Sequence, residues 1–101
     1  MHSEPNLYEV EVPMLKQEDN RFYLGDPQRP DAEIRFEEIR EGVLSVSHTY
    51  VSESLRGQGV AGRLLDAVVE LARSEGKKLA ATCSYARQKL ETDEKYADIA
   101  L

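Results

Sequence analysis

The chain is 101 residues long, 41% hydrophobic and 32% charged, with a formal net charge of −6. That length allows one domain around one modest core, and the composition belongs to a globular chain. The acidic balance argues against bulk binding to nucleic acid or an anionic membrane, no apolar run is long enough to span a bilayer, and one cysteine with two histidines argues against a structural zinc site.

Residues 1–5 are polar and lack the order of a secretory leader, and residues 1–6 are expected to be mobile. Tyr8-Glu9-Val10-Glu11-Val12 alternates but stops at Pro13, which predicts a weak strand or arm. Arg21-Phe22-Tyr23-Leu24 reads as a short strand, and residues 25–31, with two prolines, as a loop. The next run places Ala32, Ile34 and Phe36 on one face and Glu33, Arg35 and Glu37 on the other. After a turn at Glu41-Gly42, residues 43–51 carry the strongest strand signal in the chain. Simple alternation puts His48 on a face with Leu44, Val46 and Tyr50, so a buried structural histidine competes there with a reactive one.

From Gly59 the apolar period turns helical. Val60, Leu64, Leu65, Val68, Leu71 and Ala72 form one stripe, with Arg63, Asp66, Glu70 and Arg73 opposite. Gly76 is placed to stop this helix. Residues 78–84 read as a short buried strand in which Cys83 shares a face with Leu79 and Ala81, as a small buried hydrophobe would. The remainder is helical, with one segment to about Leu90, a break near Thr92-Asp93 and a second short helix. Tyr85 and Tyr96 are expected to pack. Strand, glycine turn, helix and strand make a β-α-β unit.

The turn of that unit is Leu55-Arg56-Gly57-Gln58-Gly59-Val60-Ala61-Gly62-Arg63. Three glycines are poor core filler, but a glycine turn entering a helix presents open backbone N–H groups and the positive end of the helix dipole to an anion. Residues 52–89 hold seven basic and four acidic side chains, whereas the segments on either side are acidic. Gly57-x-Gly59-x-x-Gly62 also satisfies a dinucleotide fingerprint. The context rejects it: the unit follows a meander, and no acidic residue ends a second strand about 20 residues on.

The ordered set Asn20-Arg21-Phe22-Tyr23-Leu24-Gly25, Ala32-Glu33-Ile34-Arg35-Phe36, His48-Thr49-Tyr50-Val51, Leu55-Arg56-Gly57-Gln58-Gly59-Val60-Ala61, Cys83-Ser84-Tyr85 and Tyr96-Ala97-Asp98-Ile99 covers most of residues 20–99. It resembles the compact single-domain GNAT-like (GCN5-related) N-acetyltransferases. The resemblance implies a single domain over residues 1–101 of α/β (α+β) class, with a mixed sheet, a β-α-β acetyl-CoA-binding unit and a helical C-terminus. It implies acetyl-CoA as co-substrate, held by Val51, Arg56, Gly57, Gln58, Gly59, Val60, Ala61, Gly62 and Arg63, and no metal.

By the same resemblance, His48 and Cys83 would face the thioester between two splayed parallel strands. His48 could take the amine's proton, and Cys83 could either protonate the departing thiolate or accept the acetyl group itself. Two positions depart from the family pattern: Ser52 stands where many relatives carry proline, and Tyr50 where an acidic residue is frequent. The expected activity is acetyl transfer to a small-molecule or peptide amine in the cytoplasm, by a monomer or weak dimer, without nucleic-acid or membrane partners. A non-catalytic coenzyme A or acyl-CoA binding module is the alternative, because so short a chain leaves little to build an acceptor pocket.

Overall fold

The computed structural model describes residues 15–101, so the expected strand at residues 8–12 and the opening six residues lie outside the described part. Strands β1 (Lys16–Glu18), β2 (Arg21–Asp26), β3 (Arg29–Arg40) and β4 (Val43–Val51) form an antiparallel meander. A 3-10 turn (Glu53–Leu55) leads to helix α1 (Val60–Ser74), which carries the chain to β5 (Lys78–Ala81), parallel to β4. Helix α2 (Ser84–Thr92) and a second 3-10 turn (Glu94–Tyr96) follow. Among the described residues, the mixed sheet has five strands in chain order. No helix among the described residues is long and apolar enough to cross a membrane.

The expected loop at residues 25–31 is mostly strand. β2 and β3 run to a turn at Pro27-Gln28, closed by Gln28 N–H donating to Asp26 Oδ1 at 2.8 Å. Its prolines are tolerated because Pro27 occupies the turn and Pro30 pairs with Gly25 just past a register shift at Leu24/Gly25, where ladder regularity is already broken. β1 went unread for a simpler reason: Lys16-Gln17-Glu18 is polar and exposed on every residue, so it carries no alternation.

A second irregularity matters more. Arg35 pairs with His48 but Phe36 pairs with Val46, so Ser47 is an extra residue bulged out of β4. An added residue inverts the side-chain parity beyond it. Thr49 and Val51 therefore join the face of Ile34, Ala32, Leu44 and Val46, which packs against Val60, Leu64, Leu65, Val68, Val69 and Ala72 of α1. His48 and Tyr50 turn to the opposite face, with Arg35 and Glu33. The expectation that His48 shares a face with Leu44 and Val46 is corrected by this bulge.

At its end, α1 closes with Gly76 at φ +67°, Gly76 N–H donating to Arg73 O (3.1 Å) and Lys77 N–H to Ala72 O (2.8 Å). This is a Schellman motif, made possible by the glycine expected at that position. β5 is shorter than expected. It leaves the sheet after Ala81, and Cys83 becomes the N-cap of α2 instead of a strand residue. The helical C-terminus is present, with its break at Asp93, and Ala86, Leu90, Tyr96 and Ile99 enter the same core. Arg73 clamps this segment to α1, donating to both Asp98 carboxylate oxygens at 3.0 and 2.9 Å and to Lys95 O at 2.8 Å.

Candidate functional site

The loop between β4 and α1 is braced before it turns. Ser52 N–H donates to Asp31 O at 2.8 Å, which ties the loop to the start of β3, and Leu55 N–H to Ser52 O (3.0 Å) closes the 3-10 turn. Two side chains fold back onto the loop: Arg56 Nε donates to Val51 O and Gln58 Nε2 to Ser54 O, each at 3.2 Å. Gly57 and Gly59 then adopt φ of +82° and +76°, a left-handed conformation that strains any residue with a Cβ. Among the described residues, no atom beyond the adjoining residues lies within 4 Å of where those Cβ atoms would stand, so the turn presents an open surface there.

The first helical bond of α1 is Arg63 N–H to Gly59 O at 3.1 Å, and no side chain among the described residues caps the helix. The amides of Val60, Ala61 and Gly62 therefore precede the ladder and point out of the first turn, where the helix dipole is positive. These residues, with Val51, Leu55, Arg56, Gly57, Gly59 and Tyr85, line a cavity of about 190 Å³. Gln58 and Arg63, expected with them, are not in its lining. Gly62 is not left-handed. Its contribution is space, since a Cβ there would stand 4.0 Å from the Tyr85 hydroxyl. Larger clefts of about 430 and 460 Å³ at the β1–β2 turn share no lining residue with this cavity.

Beside the loop, β4 and β5 pair only from Val43 to Val46, and then Thr82 N–H and Cys83 N–H both donate to Val46 O. Beyond that point β5 turns into α2, and β4 runs on to Val51 without a strand partner on that edge among the described residues. Cys83 sits at the parting, with Sγ 3.4 Å from Thr49 Oγ1. Burial pushes its thiol up, but hydrogen bonds from Thr49 and from the backbone of Ala86 and Tyr85 outweigh it, and the net shift is downward. Tyr85, one helical position past the N-cap region, has its hydroxyl pushed up by burial and by the charges of Asp66 and Cys83, so it stays protonated at neutral pH.

The structure does not bring all the expected residues together. Cys83 meets Thr49 on the helix-covered face, while His48 stands one residue away along β4 but faces the other side. His48 Nε2 lies 3.6 Å from Glu33 Oε2, and half of its side chain is exposed. Tyr85 packs partly buried against the core, as expected, and also lines the loop cavity, while Thr49, Leu55 and Glu33 stand in the motifs of the resemblance but carried no expected role. The signal for Tyr85 was its place in the Cys83-Ser84-Tyr85 motif of the resemblance. Among the described residues, no group of three His, Cys, Asp or Glu side chains is placed to hold a metal ion.

Residues 21–99 match the model of the GCN5-related N-acetyl-transferase family. The chain belongs to the GCN5-related N-acetyltransferase family. A solution structure of a GCN5-like candidate N-acetyltransferase from Staphylococcus aureus is similar over 87% of each chain, with 42% identity and a TM-score of 0.77. Two larger structures share the fold: a ribosomal-protein-alanine N-acetyltransferase from Brucella melitensis (TM-score 0.53, 21% identity, 80% of this chain and 62% of that one) and a candidate GNAT-family acetyltransferase from Desulfovibrio desulfuricans (TM-score 0.51, 18% identity, 77% and 52%). No curated protein sequence matches the chain. GCN5-related N-acetyltransferases use acetyl-CoA as co-substrate. The loop fits the diphosphate of that molecule: it combines open amides, a helix N-terminus and two left-handed glycines with clear space above them.

Proposed function

We propose that this chain transfers an acetyl group from acetyl-CoA to an amine, with the diphosphate held on the loop of Arg56, Gly57, Gly59, Val60, Ala61 and Gly62. The observation that carries this reading is the start of α1, uncapped among the described residues, beside the edge of β4 where its pairing with β5 ends. When bound, acetyl-CoA supplies an activated acyl thioester. The chain's own residues supply binding and proton movement. His48 takes the proton of the acceptor ammonium, freeing the nitrogen lone pair. Cys83 Sγ or Tyr85 Oη gives a proton to the departing sulfur, and Tyr85 is suited to it because its surroundings keep it protonated. The acidic balance of the chain favours a cationic acceptor such as a basic peptide or polyamine.

The placement of His48 and Cys83 on opposite faces of β4 favours a second reading, a coenzyme A binding module without turnover. Calorimetric titration of acetyl-CoA and coenzyme A into wild type and Gly59→Glu addresses both. Glutamate at Gly59 repels the diphosphate and fills its approach, so affinity should fall by about 100-fold or more. No binding to wild type would sink both readings. Binding without acetyl-CoA consumption across a panel of primary amines would leave the module.

A further inference from the structure

The face of the sheet that carries His48 supplies more than His48. Glu33 pairs across to Tyr50 and Arg35 to His48, which makes Glu33 and His48 diagonal neighbours on that face. Glu33 is only 8% exposed. Its Oε1 accepts from Arg21 Nη1 at 2.8 Å, and its Oε2 accepts from Arg35 Nε at 3.2 Å and stands 3.6 Å from His48 Nε2. Arg21 is itself fixed, donating to Glu18 Oε1 and to Pro27 O at 2.7 Å each, with its guanidinium 4.2 Å over the Tyr23 ring.

Burial alone would push the Glu33 carboxyl up, but Arg21 and Arg35 together hold it below the usual carboxylate range. A pinned, ionised carboxylate therefore faces one ring nitrogen of His48. Such a group only accepts hydrogen bonds, so it complements Nε2–H and repels an Nε2 lone pair.

We propose that Glu33 is the positioning residue for His48: it holds the neutral imidazole as the Nε2–H tautomer and makes Nδ1 the atom that takes the acceptor's proton. This rests on the acetyltransferase reading. In the step, an N–H bond of the acceptor ammonium breaks and an Nδ1–H bond forms. The bonding pair stays on the amine nitrogen for attack, and the positive charge moves to the imidazolium beside Glu33. Glu33 itself gains no proton.

The test is a long-range nitrogen–proton correlation spectrum of the His48 ring in wild type and in Glu33→Gln, with steady-state rates toward spermidine and a lysine-rich peptide. Wild type should show Nε2–H with a lone pair on Nδ1. In Glu33→Gln, the amide oxygen stays with Arg21 and its NH2 group turns to His48, so the ring should switch to Nδ1–H. The kcat should then fall by about tenfold or more while acetyl-CoA affinity holds, because the wrong nitrogen carries the proton. The same tautomer in both chains overturns the proposal. So does Nδ1–H in wild type, which is read without the variant and does not depend on its folding. A tautomer switch in a chain that consumes no acetyl-CoA upholds the pairing and sinks the acetyltransferase reading instead.

Discussion

The C-terminal end of α1 closes on its own chain, whereas the N-terminal end is left open. At the C-terminal end the carbonyls of Ala72 and Arg73 accept from Lys77 and Gly76, Arg73 forks onto Asp98, and Lys77 bridges Glu38 at 3.0 Å and Glu75 at 2.9 Å. At the N-terminal end no side chain among the described residues caps the amides, and a Cβ at Gly57 or Gly59 would meet open space. Both ends rely on a left-handed glycine, Gly76 in one case and Gly59 in the other. What differs is where the freed backbone groups go. One end spends them on stability, and in the proposed function the other receives an anion, so binding and stability should separate cleanly between the two.

Alanine at both Gly57 and Gly59 attacks the open end. Each left-handed alanine costs about 1–2 kcal/mol, so urea unfolding should show a loss of about 2–4 kcal/mol, and calorimetry a fall in acetyl-CoA affinity of about tenfold or more. Gly76→Ala attacks the closed end. It should cost about 1–2 kcal/mol in the same unfolding experiment with acetyl-CoA affinity unchanged, and a comparable loss of affinity there would dissolve the contrast. Tyr96→Phe removes the 2.6 Å hydrogen bond from the tyrosine hydroxyl to Asp66 Oδ1, near the middle of the helix. About 1 kcal/mol of stability should go, again without an effect on binding.

The smallest effect is a pH dependence on the sheet's other face. The Glu33 carboxyl is held below its ordinary value of 4.5 in the folded chain. As pH falls, the unfolded chain takes up that proton first, so the stabilisation is complete above about 4.5 and disappears as pH drops through the lowered folded value. The difference in urea midpoint between wild type and Glu33→Gln should therefore be widest near neutral pH and narrow on acidification. A difference that widens in acid would contradict the pairing with Arg21 and Arg35.

Much of the open end was legible because glycine has few other reasons to cluster before an amphipathic helix. β4 matched residues 43–51 to the residue, since a run rich in Val, Thr and Tyr between two turns leaves little choice. The side of the sheet that His48 faces was not legible. Alternation counts every residue, and nothing in Val46-Ser47-His48 announces that Ser47 drops out of register. Cys83 was misplaced for a related reason: Thr82-Cys83-Ser84 continues a strand-like run, while tertiary packing bends it into a helix cap. Glu33 reads as one of several polar residues on a polar face. Its burial and its place beside Arg21, Arg35 and His48 depend on strand pairings that no local pattern encodes.

The order of strands in the sheet repeats their order in the chain. Four of them can therefore zip up through tight turns, each contact local and entropically cheap, before anything distant is needed. The pairing of β4 with β5 is the exception, because it must wait for the whole of α1 to cross over. The loop cavity lies at that junction, so it does not exist until that non-local pairing has formed. A ligand that recognises only the finished junction has no purchase on the earlier meander. Bound acetyl-CoA should lengthen the lifetime of the folded chain, slowing its unfolding rate while leaving the refolding rate nearly untouched.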